Sequence, residues 1–390
     1  MTRSKGPVRS LVAACLSLAC AFAAGQFTAK TFMMRHANPA RTGQVSQIGA
    51  LQGQLAWQYR TGGIVQGMAV DPYGHIFLGA TFNEDYWNNE VYATSLNPNG
   101  TVRWRQRVVP YVWGASQGVR SWPTFDPHFK TFTMNSTNGE LLQFSADGDP
   151  IMTIPRNSNA TNDSSPNVML DGSILHYQIG SLMKFTRGGG LIWTASLFSQ
   201  TTSAVNAVGD VVMGGVRTTE PHGSTDITYL NADGTLRWRR TSSRGLNAQP
   251  IFGPDGTVYM GDGAFNPDGT VKWGSPGGGN NSLGQDGRLF RSVGRALNAR
   301  DSQSGALLWS SPIPSAGNMI TDLAIDGRGF VYATTSDGYL YAFEPVNGQI
   351  VLSGRFADVF YTGPILGLEG AVIASGRLGG TYEYYVFCIR

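Results

Sequence analysis

A glycine followed four positions later by a large apolar residue, usually tryptophan, recurs eight times along this chain of 390 residues. The pairs are Gly53/Trp57, Gly100/Trp104, Gly148/Met152, Gly189/Trp193, Gly234/Trp238, Gly269/Trp273, Gly305/Trp309 and Gly348/Leu352, and successive glycines lie 35 to 48 residues apart. That period is the length of a four-stranded blade, about 40 to 50 residues. One blade cannot bury both of its faces alone, and an open row of blades would expose two apolar ends, so the array should close into a ring. With 14% charged and 11% aromatic residues the chain is far from the composition of a disordered or coiled-coil protein.

The four strands of one unit read directly from Thr321 to Gly354 as TDLAID, FVYATT, YLYAFE and QIVLSG, separated by the turns GRG, SDG and PVNG. Asn-Gly and Asp-Gly pairs, as at Asn99-Gly100, Asp233-Gly234 and Asp268-Gly269, supply the left-handed backbone that tight hairpins require. Successive strands should therefore pair antiparallel. The expected fold is all-β: an eight-bladed β-propeller of four-stranded antiparallel blades spanning 51–390. Its blades are drawn at 64–107, 108–156, 157–196, 197–241, 242–276, 277–312, 313–355, and 356–390 completed by 51–60. The closing strand is expected at Leu55 to Arg60, beside Tyr384 to Ile389. The fifth and sixth units are short, which predicts trimmed strands and leaves seven blades plus a degenerate one as the alternative.

Residues 1–25 have a basic start, an apolar run from Leu11 to Ala24 and a small-residue end, the pattern of a secretory signal. Cleavage is expected near Ala23, and residues 26–50 would then form a lead-in. Of 29 Lys and Arg, three (Arg3, Lys5, Arg9) lie in that leader, so the remainder balances the 26 Asp and Glu. A neutral chain lacks the basic surplus that nucleic acid or an anionic membrane demands. Cys15 and Cys20 also lie in the leader, leaving Cys388 in an apolar strand, where it reads as a buried, inert thiol. The expected location is secreted or extracellular, or periplasmic if the source is bacterial.

The segment Ala299-Arg300-Asp301-Ser302-Gln303-Ser304-Gly305-Ala306-Leu307-Leu308-Trp309 resembles the tryptophan-docking motif of the pyrroloquinoline-quinone-like (PQQ-like) propeller repeat, with Ser304 in place of the motif's Thr. Tyr341-Ala342-Phe343-Glu344 to Leu352 is a weaker copy, and Met34-Arg35-His36-Ala37-Asn38-Pro39-Ala40-Arg41-Thr42-Gly43 is similar to a segment that precedes such propellers. The repeat is shared by quinoprotein alcohol dehydrogenases and by the bacterial outer-membrane assembly lipoprotein BamB. The resemblance implies that each motif Trp docks on the next blade while the Gly makes the turn. Under a dehydrogenase reading it implies a quinone over Ca²⁺, an Asp base and adjacent cysteines. The cysteines are missing, and no positions match the Ca²⁺ ligands or the base, so no cofactor is expected and PQQ with Ca²⁺ belongs to the alternative alone.

The histidines His36, His75, His128, His176 and His222 are scattered, with no pair at metal-ligand spacing. Gly188-Gly189-Gly190 and Gly277-Gly278-Gly279 precede no helix and read as connectors. The aromatic insertion Tyr86-Trp87, with Tyr111 and Trp113 at the next blade junction, reads first as core packing; the alternative is a set of exposed rings at the propeller mouth that binds a partner or sugars. Asn99, Asn135, Asn159, Asn162 and Asn280 each begin a glycosylation sequon that a eukaryotic host would read. The expected function is a secreted, non-enzymatic scaffold that holds a protein or glycan partner through its loop faces. The alternatives are a reduced quinone-dependent oxidoreductase and a hydrolase or lyase working in the central channel.

Overall fold

Hairpin turns every few residues force each strand back along the one before it, and every named strand pair is antiparallel. The computed structural model describes residues 30–83, 89–109, 121–136, 140–155, 165–169, 171–178, 180–197, 202–216, 225–242, 248–275, 279–379 and 383–390. It is an eight-bladed β-propeller. The first seven blades take their strands consecutively from the chain, and their innermost strands are Gly63–Val70, Thr124–Asp126, Asn167–Val168, Ala204–Val205, Ile251–Phe252, Asn281–Leu283 and Ala324–Ile325. In blade 8 the inner strand is Ile365–Leu366, and the outermost strand, Leu55–Arg60, comes from the other end of the chain to pair with Tyr384–Ile389. Trp57 lies opposite Cys388 and Tyr59 opposite Val386. The seven-blade alternative is not needed: seven sheets have four strands each, and in blade 8 the innermost position is split between Val359–Phe360 and Ile365–Leu366, both paired with Val372–Arg377. Blade 5 is trimmed to strands of 2, 3, 3 and 4 residues, as its length predicts. Blade 6 keeps strands of 3, 6, 6 and 6 residues, so its short repeat reflects tight connections and not shortened strands.

The repeated Gly and Trp meet between neighbouring blades. Trp57 lies over Gly100, Trp104 over Gly148, Met152 over Gly189, Trp193 over Gly234, Trp238 over Gly269, Trp273 over Gly305, Trp309 over Gly348, and Leu352 over Gly53, which completes the circle. Each of these glycines is left-handed, with φ between +68° and +94°. A Cβ added to any of them would also come closer than 3.0 Å to the docked side chain. Two separate demands, backbone conformation and close approach, therefore exclude every other residue type here. Each of the six indoles donates its Nε1–H to a carbonyl of the facing turn at 2.8–3.1 Å. Met152 and Leu352 fill the same space without that hydrogen bond. Trp238 is buried, whereas Trp57, Trp104, Trp193, Trp273 and Trp309 are half-buried because they sit near the rim.

Residues 31–45 run into the centre of the ring and are almost wholly buried. This segment contacts the inner strand of every blade in turn. Its carbonyls accept from Val70 (Phe32 O, 2.7 Å), Phe125 (Met33 O, 2.6 Å), Val205 (Pro39 O, 2.8 Å), Phe252 (Ala40 O, 3.0 Å), Leu283 (Thr42 O, 2.7 Å) and Ile325 (Gly43 O, 2.9 Å). Blade 3 joins through the Asn167 side-chain amide, which also donates to Pro39 O at 3.1 Å. In blade 8 Leu366 O accepts from Phe32 N at 3.4 Å. The inner strands are two or three residues long in seven blades, too short to have both edges paired by regular neighbours, and the strap satisfies groups that would otherwise be orphaned in the core. Among the described residues, no helix is long and apolar enough to cross a membrane.

Removing 51–60 should lower the melting temperature of the whole ring sharply, since Tyr384–Ile389 would become an open edge whose Val386, Phe387, Cys388 and Ile389 are now fully buried. Trp57→Ala should cost about 2–3 kcal/mol, below the figure for a fully buried Trp. Thermal and denaturant melts check both, and a truncated chain melting like the parent would show that the closing strand does not hold the ring.

Candidate functional site: an axial funnel

Residues in or just ahead of the inner strands of blades 1, 2, 7 and 8 converge beside Arg35 of the strap. They line a cavity of about 520 Å³ bounded by Arg35, Gln66, Trp122, Ile320, Thr321, Asp322, Tyr361 and Thr362. Arg35 comes from the strap; the others come from blades 1, 2, 7 and 8. A register shift between Val65 and Met68 in the first inner strand turns Gln66 outward into this space. The adjoining Gly67 is required by Trp122, whose indole occupies the place a Cβ would take. Trp122 thus stands at the cavity wall with the Arg35 guanidinium 5.8 Å from its ring centre.

Asp322 is the hub of the polar network. Its carboxylate accepts from Arg35 Nη2 (3.0 and 3.3 Å), from His36 Nε2 (2.9 Å) and from the Asn280 amide (2.7 Å). The Asn280 carbonyl oxygen accepts from Gln249 N at 2.9 Å. The Gln249 side-chain oxygen faces Arg35 and accepts from its three guanidinium nitrogens at 2.6–3.0 Å. Burial alone would raise the Asp322 pKa. The charges of Arg35 and His36, with hydrogen bonds from His36 and Asn280, outweigh it and hold the carboxyl well below the usual range. A carboxylate held ionised in this way is a poor proton acceptor near neutral pH.

Arg41 lies beneath, fully buried, with its guanidinium on three backbone carbonyls: Ser203 O (3.0 Å), Arg35 O (2.6 Å) and Pro166 O (3.1 Å). Burial and the nearby charge of Arg35 bring its pKa down to about 9, against the pull of Asp322. It remains a cation at neutral pH, held by these carbonyls rather than by a carboxylate. His36, Ala37 and Arg41 have positive φ values of 54°, 69° and 63°. Such conformations are costly for residues with a Cβ and persist only where the surroundings enforce them.

The quinone-dependent alternative can be tested against these side chains. Ca²⁺ takes six to eight oxygen ligands, several of them carboxylates. Among the described residues no three His, Cys, Asp or Glu side chains gather to hold a metal. The funnel's carboxylate is already engaged by Arg35, His36 and Asn280. Cys388, the one described thiol, is fully buried in blade 8, where burial pushes its pKa up to about 11. Among the described residues, the donor set at the funnel does not fit a quinone held over Ca²⁺.

The repeat glycines and their docked partners are distant from the funnel by position in the blade, on outer strands and the turns leading into them, and Ala299 and Asp301 lie on the neighbouring third strand. In the best-matched repeat, Ala299 pairs with Trp309, and Asp301 accepts from Ser304 N and Ser304 Oγ, both at 2.7 Å, to shape the turn. Of the sequon residues, Asn99 is exposed in a turn. Asn135 and Asn280 are buried, and in the folded chain neither is open to a glycosyl transferase. Asn159, Asn162, His222, Tyr86, Trp87, Tyr111 and Trp113 lie outside the described residues. His36 joins the funnel network, while His75 pairs with Asp71 at 2.8 Å in a turn.

A family model described as "Outer membrane protein assembly factor BamB" matches residues 223–355. Among solved structures, a europium-containing methanol dehydrogenase superposes with a TM-score of 0.68 at 12% identity, over 92% of this chain and 98% of that one. A quinohemoprotein alcohol dehydrogenase from Comamonas testosteroni gives 0.64 at 12% identity, over 95% of this chain and 82% of that one. BamB from Moraxella catarrhalis gives 0.63 at 13% identity, over 87% and 99%. No curated protein matches the sequence. The chain shares the β-propeller fold of these structures, and residues 223–355 match the family model. At these identities the likeness to dehydrogenase and assembly factor alike extends to the fold.

Asp322→Asn should separate the electrostatics of the funnel from its packing. The folded pKa of Asp322 lies below its unfolded value of about 3.9, so the unfolded chain binds more protons as pH falls through that window. The stabilisation is therefore present above about pH 4 and lost below it. Removing the charge leaves Arg35 unpaired, which should cost about 3–5 kcal/mol at pH 7, and should flatten the acid limb. Melting curves from pH 2 to 7 measure both effects.

Proposed function

We propose that this chain is an exported, non-enzymatic propeller that holds a protein or glycan partner on the face where the axial funnel opens. One observation carries the reading: the funnel's carboxylate is fully engaged and held ionised by Arg35, His36 and Asn280, which suits it to shaping a binding surface and not to transferring protons. The remaining chemistry is that of recognition. The half-open Tyr361 offers an aromatic face and buried Trp122 backs the wall, while Gln66, Thr321 and Arg35 offer hydrogen bonds. The strap fills the axis beneath the funnel, which argues against a channel-borne hydrolase or lyase site. Export is supported by the leader-like first 25 residues, and a protein partner by the description of the matched family as an assembly factor.

A photo-crosslinking residue at Tyr361, exposed at the funnel mouth, should capture a defined partner from the source organism's exported proteins or glycoconjugates. The same residue at Val208, 72% exposed on the opposite face, should not. Titration with the quinone and Ca²⁺ should give no saturable absorbance change, and dye-linked alcohol oxidation should stay at background. Quinone-dependent turnover would overturn the reading, as would equal adducts from both positions.

A further inference from the structure

The third-strand residue paired with each docked Trp, Met or Leu points the same way as its partner, into the layer between blades. It is alanine in blades 5, 6 and 7, serine in blade 1, and glutamine, tyrosine and cysteine in blades 2, 4 and 8, none of them charged at neutral pH. Blade 3 places Lys184 there, opposite Trp193 and only 9% exposed. Its stem carries the amine to the junction of blades 3 and 4, where a cavity of about 190 Å³ lies between Met169 and Asp171, in the first turn of blade 3, and Asn206, Val208 and Ala232, in the turns of blade 4. Lysine has three donors and no acceptor. Among the described residues the Lys184 amine reaches no hydrogen-bond partner: the facing carboxylate oxygen, Asp171 Oδ2, is 3.9 Å away. A polar group so buried and unpaired is costly. The other polar side chain of the wall is spent, since Asn206 Oδ1 accepts from Val208 N and Asp210 N at 3.1 and 2.9 Å, and its Nδ2 donates to Asp210 and Tyr229. Asp171 Oδ1 is spent on Ser173 N and Oγ. Of the side-chain groups lining the cavity, the Lys184 amine and Asp171 Oδ2 are left to engage a guest.

We propose that this cavity binds a small free molecule carrying a primary amide on a short apolar body. A donor and an acceptor 3.9 Å apart complement a group that presents an acceptor and a donor side by side, as a primary amide does. Its carbonyl oxygen accepts from Lys184 Nζ on the buried side, and its N–H donates to Asp171 Oδ2, whose side chain is 62% exposed at the mouth. A carboxylate suits the amine but sets a second negative charge against Asp171, and a cationic guest repeats the fault against Lys184. One water can bridge the two atoms, but its share of the volume is about 30 Å³. The space beyond it is walled by Met169, Val205, Val208 and Ala232, which fit a short alkyl body. Because successive strands alternate in direction, these turns open on the face away from the funnel. The two sites can therefore succeed or fail independently.

The test follows the fluorine NMR signal of trifluoroacetamide in the presence of the full chain, with trifluoroacetate as the charged comparison. The parent should shift and broaden the amide signal saturably, and should bind trifluoroacetate more weakly. Lys184→Met, which keeps most of the stem and removes the donor, should weaken amide binding about ten-fold with a melting curve like the parent's. Should that variant fold poorly, Lys184→Gln replaces it. Asp171→Asn leaves the charge of the amine unopposed and should turn the preference toward trifluoroacetate, a reversal that a purely structural Lys184 would not produce. The absence of a saturable signal, equal or tighter binding of trifluoroacetate by the parent, or undiminished amide binding by the folded Lys184 variant would overturn the proposal. So would a Gly-Gln-Gly peptide with acetyl and N-methylamide caps that displaces the probe better than propionamide does, because the cavity would then take a glutamine side chain of a protein.

Discussion

The strap through the centre of the ring is the constraint on which the rest of the molecule depends. A propeller in which seven of eight inner strands are only two or three residues long has backbone groups at its axis that its own blades cannot pair. Residues 32–43 supply partners to all eight blades, at cost to their own conformation: three non-glycine residues are left-handed, and a guanidinium is buried without a carboxylate beside it. Replacing water at the axis with this segment also defines the funnel above, because Arg35 rises from the strap to meet Asp322, Gln249 and Trp122. Architecture and candidate site are thus one construction.

The glycine and tryptophan contacts do at the rim what the strap does at the axis. They bind each blade only to its neighbour, so their failure is local, whereas the strap is shared by every blade. Substituting Met152 and Leu352 for tryptophan in two of the eight positions keeps the apolar contact and gives up a hydrogen bond. A ring tolerates that at isolated junctions because each junction contributes its own increment.

The blade repeat was legible in the sequence because its key residues recur at fixed spacing and obey a local rule: a left-handed glycine, then an indole. Closure by Leu55–Arg60 was legible for the same reason, from an unmatched outer strand at one end and a missing one at the other. The funnel was not, since its residues come from separate blades and from the aperiodic strap, and the short inner strands carry no alternating pattern. Asn280 shows the difficulty. Its local sequence marks a glycosylation sequon, while its side chain is buried against Asp322, forty-two residues away. A usable signal existed in Trp122, which is one of nine tryptophans and falls outside the repeat positions.

The strap also sets the order in which the molecule can be completed. The contacts of Thr31 with Val70 span 39 residues, but those of Gln44 with Asp326 span 282, and Trp57 must wait for Cys388. The part of the ring made first is therefore the part satisfied last. During synthesis the early blades have neither a neighbour on one side nor a settled axis, and folding dominated by such distant contacts is slow and exposes apolar surface meanwhile. A chain built this way profits from emerging quickly and in the company of a chaperone, since no intermediate short of the final strand has a closed rim or a filled centre.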